Sequence, residues 1–175
     1  MAGLGMPGGE LEVALSPRGE AEVTAHGLED VDFLVSANPG QPPQPLAKVA
    51  SGGELSRISL AIQVITANCG QVPTLIFDEV DVGIGGGVAE IVGQLLRQLG
   101  AERQVLCVTH LPQVAAQGHN HLQVVKLSSR NQTHTKITAL EPEARVEEIA
   151  RMLGGLRITD QTRGHAREMV AQAQR

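Results

Sequence analysis

Apolar positions along the chain recur with two different periods. Leu11, Val13 and Leu15 alternate with polar residues, as on a strand with one covered face. The Ser16-Pro17-Arg18-Gly19 cluster predicts a turn and the stretch after it, through Val23, a second strand, so an N-terminal β-hairpin is expected. A third strand is predicted over Val31–Val35, followed by Asn38-Pro-Gly-Gln-Pro-Pro-Gln-Pro45, which breaks regular structure and reads as a mobile loop. Beyond it the period changes. Leu55, Ile58, Ile62 and Ile65 lie three and four apart and predict a helix from about Gly52 to Asn68 with one apolar stripe. Thr74–Phe77 and Gln104–Thr109 are continuous apolar runs, as on parallel strands buried on both faces. Between them Val88, Ile91, Val92, Leu95, Leu96 and Leu99 mark a second amphipathic helix ended by Gly100, and after the second of them Leu111, Val114 and Ala115 mark a short helix ended by Gly118.

This order of strand, helix, strand, helix predicts an α/β fold with a mainly parallel core sheet flanked by helices and joined by right-handed crossovers. A late hairpin is expected from Leu122–Leu127 and Thr135–Leu140 around Ser128-Ser-Arg-Asn131. Two closing helices are expected, one carrying Val146, Ile149, Ala150 and Leu153 and the other Ala166, Met169, Val170 and Ala173. The Gly-rich opening, residues 1–10, reads as a connection outside the core, and residues 11–175 as one lobe.

Composition narrows the function classes. With 175 residues and 42% apolar content the chain suits one globular domain or part of one. A net charge of −5 gives no basic field for a nucleic-acid backbone, so DNA contact must be local or come from other parts of a larger protein. Cys69 and Cys107 lie far apart in apolar surroundings without zinc-ligand spacing and read as buried free thiols of a reducing cytoplasm. No apolar run approaches the ~20 residues needed to span a bilayer.

Three places carry chemistry. The run Leu75-Ile-Phe-Asp78-Glu79 ends an apolar strand in two adjacent carboxylates. Acids at a strand's carboxyl end commonly meet a ligand or metal, because buried charge needs a partner. In nucleotide hydrolases the first acid holds Mg²⁺ and the second orients and deprotonates water. The Ser51-Gly52-Gly53-Glu54 helix start offers a hydroxyl, unobstructed backbone N–H groups and a positive dipole end to phosphate, and the same residues also read as an N-cap and capping box. His110 follows the strand ending at Thr109 as Asp78 follows its own, which puts the two at one sheet edge. The other histidines have no such placement. Asp81 opens the glycine-rich stretch Asp81-Val-Gly-Ile-Gly-Gly-Gly87, which taken alone is a turn before a helix.

In this order the pieces resemble the signature motif, Walker B strand, D-loop and switch histidine of ATP-binding cassette (ABC) ATPases. The wording of Val49-Ala-Ser-Gly-Gly-Glu-Leu-Ser-Arg57, Ile76-Phe-Asp-Glu-Val-Asp-Val-Gly83 and Val108-Thr-His-Leu-Pro-Gln-Val-Ala115 is similar to the RecN type, relatives of the structural maintenance of chromosomes (SMC) proteins. The resemblance extends from about Leu11 to the C-terminus, including Val146-Glu-Glu-Ile-Ala-Arg-Met-Leu-Gly154.

The resemblance implies the C-terminal lobe of an ATPase head. Asp78 would hold Mg²⁺, Glu79 would activate water and His110 would contact the γ-phosphate. Ser51, Gly52, Gly53 and Glu54 would meet the ATP of a second head, and Asp81, as the D-loop acid, would also contact nucleotide. It further implies an ATP-sandwiched head dimer, an N-terminal lobe with a Walker A loop as partner, DNA double-strand-break repair as the process, and a cytoplasmic, nucleoid-associated location. No Gly-x-x-x-x-Gly-Lys-[Ser/Thr] occurs in the chain, so it is expected to be inactive alone. Transporter ATPases share the motifs but carry that loop in the same chain, and their signature usually begins with Leu where Ala50 stands. A docking or dimerisation domain with idle motifs is the other alternative, against which the intact acids and His110 argue.

Overall fold

The computed structural model describes residues 4, 6–19, 24–25, 27–36, 40–48, 52–66, 72–129, 132–154 and 157–174. Among these residues seven strands and five α-helices follow in the order β1 (Glu10–Pro17), β2 (Glu29–Ser36), β3 (Gln44–Pro45), α1 (Gly52–Ile65), β4 (Thr74–Phe77), α2 (Gly86–Leu99), β5 (Gln104–Cys107), α3 (Pro112–Ala115), β6 (Leu122–Ser129), β7 (Gln132–Ala139), α4 (Pro142–Gly154) and α5 (Asp160–Ala173). Among the described residues no helix is long and apolar enough to cross a membrane.

The β4–α2–β5 unit is the parallel crossover expected: β4 and β5 pair in parallel with Thr74 opposite Gln104 and Phe77 opposite Cys107. The rest of the pairing differs from the mainly parallel sheet predicted. The other described strands form an antiparallel sheet of β1, β2 and β3 and the antiparallel hairpin β6–β7. The partner of β1 is β2, with Val13 opposite Phe33, in place of the stretch through Val23, of which residues 20–23 lie outside the described set. Alternation shows that a segment is extended but not which segment it pairs with. Gln44 and Pro45, expected in the mobile loop, form β3 against Val35 and Leu34, a place a proline tolerates because β3 is an edge strand. Asn38 and Pro39 lie outside the described residues.

One core packs α1 and α2 against β4 and β5 around Ile58, Leu60, Phe77, Val80, Val92 and Leu96. Each such side chain contributes ~1.5 to 3 kcal/mol on leaving water. Leu4 and Met6 are buried in this core, a correction to the reading of residues 1–10 as a connection: their apolar side chains find the β2 end at Val35. A second core joins Ala116, after α3, to Val146, Ile149 and Ala150 of α4 and Ala166 and Val170 of α5. Thr159 caps α5 by accepting from the Thr162 amide at 3.1 Å.

The face of α1 that is buried carries Gly53, Arg57, Ile58 and Leu60, whereas Leu55 and Ile65, at the ends of the predicted stripe, are exposed. Spacings of three and four admit two overlapping stripes on one helix, and the tertiary partner selects between them. Among the described residues the strands β4 and β5 are covered on one face only, contrary to expectation. Ile76 is 71% exposed, and Leu106 and Val108 stand open beside it.

Candidate functional site

The parallel register of β4 and β5 brings the residues that follow them to one edge. The Val108 amide donates to the Phe77 carbonyl at 3.0 Å, so Asp78-Glu79 and Thr109-His110 leave the sheet side by side. Asp78, Glu79 and His110 are exposed there. The Glu79 amide donates to Asp78 Oδ1 at 2.9 Å, and Glu79 has a φ of 58°, the left-handed region that a side chain with a Cβ seldom adopts. Such strain clusters at functional sites, where surrounding contacts over-determine the backbone.

Helix α1 points its first turn at the same place. A Cβ on Gly52 would sit 2.9 Å from Glu79 Oε2, and one on Gly53 would sit 2.7 Å from the Val82 carbonyl oxygen. Close approach to backbone therefore requires glycine at 53, whereas at 52 the neighbour is the end of the exposed Glu79 side chain, which can move aside. Ser56 Oγ donates to the Asp78 carbonyl at 3.1 Å. Ser51 lies outside the described residues, and Glu54 is half-buried in the first turn of α1.

Asp81, placed by sequence among nucleotide-contacting residues, is 2% exposed and turned inward. Its Oδ2 accepts from Thr109 Oγ1 and from the His110 amide at 3.2 Å, and stands 3.5 Å from His110 Nδ1. The Leu111 amide donates to Thr109 Oγ1 at 3.0 Å, so the hydroxyl relays the carboxylate to the turn that carries His110. The imidazole itself is 72% exposed, held at its base and open at its tip. Cys107, a free thiol expected to be buried, is half-buried; burial and the negative charges of Asp81 and Asp78 push its pKa up to about 12, so it stays protonated. Cys69 lies outside the described residues.

Sequence reasoning passed over Arg57 and Thr109. Arg57 is buried, with Nη1 donating to the Val82 carbonyl at 2.7 Å. Burial pushes its guanidinium below the ordinary value, and nearby Glu54 acts in the opposite sense. The available signal was a charged residue one turn after Gly53 on a helix whose neighbouring positions are apolar.

No family model matches the chain. Among curated proteins it is 53% identical over 171 residues to the DNA repair protein RecN of Xylella fastidiosa, an alignment covering 98% of this chain and 31% of that protein. Among solved structures it is similar to the Smc head domain with a coiled coil and joint from Pyrococcus yayanosii, with a TM-score of 0.61, 20% identity, and 85% of this chain and 26% of that one covered. A structure from work on ATP-driven dimerization and DNA-stimulated activation of SMC ATPases gives a TM-score of 0.55 at 18% identity, covering 89% of this chain and 88% of that one. The chain spans 31% of the length of the first RecN relative, and over 98% of its own length it matches a segment of that DNA repair protein.

Proposed function

We propose that this chain is the C-terminal lobe of a RecN-type ATPase head, supplying one side of a composite ATP site used in DNA double-strand-break repair. The observation that carries the reading is the convergence of Asp78, Glu79 and His110 on one edge of the β4–β5 pair, with the glycine-paired start of α1 packed against Glu79. That edge, at the carboxyl ends of parallel strands, is where open α/β sheets bind ligands.

Roles follow from chemistry. Asp78 presents a hard oxygen donor that fits Mg²⁺, which takes one or two carboxylates and completes its shell with phosphate oxygens and water. The ion would neutralise charge developing on the transferred phosphoryl group. Glu79, free to swing from α1, accepts the proton of the attacking water. His110, anchored through its amide and Nδ1 side by Asp81, presents the rest of its ring to the γ-phosphate. Ser51, Gly52, Gly53 and Glu54, at the helix start, meet the nucleotide of a second head. SMC ATPases are the subject of ATP-driven dimerization in the similar structure, and the same head pairing is proposed here.

No Gly-x-x-x-x-Gly-Lys-[Ser/Thr] loop occurs in the chain, and the open face of β4 and β5 at Ile76, Leu106 and Val108 supports a second lobe as its cover, since parallel sheets are ordinarily covered on both faces. We assign that cover to the N-terminal, Walker A-bearing lobe. The test is to titrate ATP and follow phosphate release for this chain alone and mixed with that lobe. The chain alone should neither bind ATP tightly nor hydrolyse it, and mixing should restore both. Turnover by the highly purified chain that disappears on changing Glu79 would overturn the composite-site reading. Normal pairing without turnover in the mixture would favour a docking domain.

A further inference from the structure

The start of α1 is tied to the Asp81–Val82 turn by more than apolar packing. Gly53 approaches Val82 so closely that a Cβ would stand 2.7 Å from its carbonyl oxygen and 3.1 Å from its Cβ. One turn further along, Arg57 is 6% exposed and donates from Nη1 to that same carbonyl at 2.7 Å. A buried guanidinium is costly in a helix face that an aliphatic residue could fill, and among the described residues its Nε has no hydrogen-bond partner. The residue before this acceptor is Asp81, whose carboxylate holds Thr109 Oγ1 and the His110 amide. Two adjacent residues are thus gripped from opposite sides, Val82 by α1 and Asp81 by the turn after β5.

We propose that Arg57 is a positioning residue which, through the Val82 carbonyl, locks the Asp81 clasp on Thr109 and His110 to the glycine-paired start of α1, so that a displacement of this helix start reaches His110. The rigid planar fork of arginine suits this use, because it fixes the direction of the bond as well as its length. The catalytic consequence rests on the proposed ATPase role, but the mechanical link rests on its own contacts.

Two measurements test it on wild type, Arg57→Lys and Arg57→Met. Amide hydrogen exchange is followed in this chain at residues 80–84 and 109–111, and ATP affinity and turnover in the complete polypeptide. Arg57→Met keeps the stem and removes the donors. It should speed exchange in both segments by about tenfold or more while α4 and α5 keep their protection. Its kcat should fall by about tenfold or more with ATP affinity within about twofold. Arg57→Lys should recover most of both losses. Loosening of 80–84 with 109–111 unchanged would overturn the link, as would equal loss of affinity and turnover with exchange unchanged. Should Arg57→Met not fold, Arg57→Gln, which is too short to reach the Val82 carbonyl, decides: the two segments must loosen together, and loosening of the first alone or of neither defeats the proposal. A wild-type polypeptide without ATP turnover would sink the ATPase reading, and the exchange result would still decide Arg57.

Discussion

Two regions of this chain each bury an arginine and a carboxylate, and only the first lies under an edge where two exposed carboxylates and an exposed imidazole converge. Beneath the sheet edge, Arg57 and Asp81 direct their bonds at the Val82 carbonyl, Thr109 and His110, and immediately above them stand exposed Asp78, Glu79 and His110. In the C-terminal region, Arg145 donates from Nη2 to the carbonyls of Ala116 at 2.8 Å and Gly118 at 2.6 Å, tying α4 to the end of α3. Glu148 accepts from Arg151 at 2.7 and 2.8 Å and from Gln123 at 2.6 Å, fastening α4 to β6. Those hydrogen bonds hold the Glu148 carboxyl below its ordinary range against the opposing effect of burial. Buried charge alone therefore does not mark a functional site. What distinguishes the first region is that its buried charges brace the ends of two parallel strands, from which Asp78, Glu79 and His110 reach solvent together.

The sharpest way to break this contrast is Glu79→Gln in the complete polypeptide. The amide keeps size and some hydrogen bonding but cannot accept the proton, so phosphate release should fall by about 100-fold to 10,000-fold while nucleotide titration shows ATP still bound. ATP-bound head dimers should accumulate. A rate close to normal would remove Glu79 from the chemistry.

The counterpart on the other side is Arg145→Met, which leaves the carbonyls ending α3 without their donor. Urea unfolding of this chain should show a loss of about 2 to 4 kcal/mol, with amide exchange at residues 80–84 little changed relative to global stability. A loss below about 0.5 kcal/mol, the range of an ordinary surface substitution, would show that α4 docks by its apolar face alone.

A smaller effect is expected of Asp81→Asn, which keeps the shape of the clasp and removes its charge. Turnover should drop about tenfold with ATP affinity preserved, the pattern of a group that acts through another in the transition state. Comparable loss of affinity would return Asp81 to direct nucleotide contact, the role sequence alone suggested.

The mildest test uses pH. Burial, chiefly, and the charge of Arg145 push His121 below its ordinary value of 6.5, with Glu148 opposing. The unfolded chain then takes up a proton before the folded one does, so stability falls as pH drops below 6.5 and continues to fall until the folded value is reached. Glu148 adds in the same direction lower down, its contribution being present above the ordinary carboxylate value of 4.5 and lost as pH passes below its depressed one. Replacing His121 by Gln should flatten the first part of this slope in urea midpoints measured across the range, and an unchanged slope would assign it elsewhere.

Sequence by itself determined the order of elements from α1 onward, the parallel β4–β5 crossover and the shared edge of Asp78 and His110. Each depends on local periodicity or on strand ends, which the chain writes residue by residue. Tertiary structure alone decided the rest. Whether Leu55 or Leu60 faces the core of α1, that β1 pairs with β2, and that Leu4 and Met6 join the core depend on partners distant in the chain. The same holds for Asp81 and Arg57: a carboxylate in a glycine-rich turn and an arginine on a helix acquire their roles only when the fold brings Thr109 and Val82 within bonding distance. The exposure of Ile76 and Val108 is also a tertiary fact, because an apolar residue in a sequence calls for cover without saying which chain supplies it.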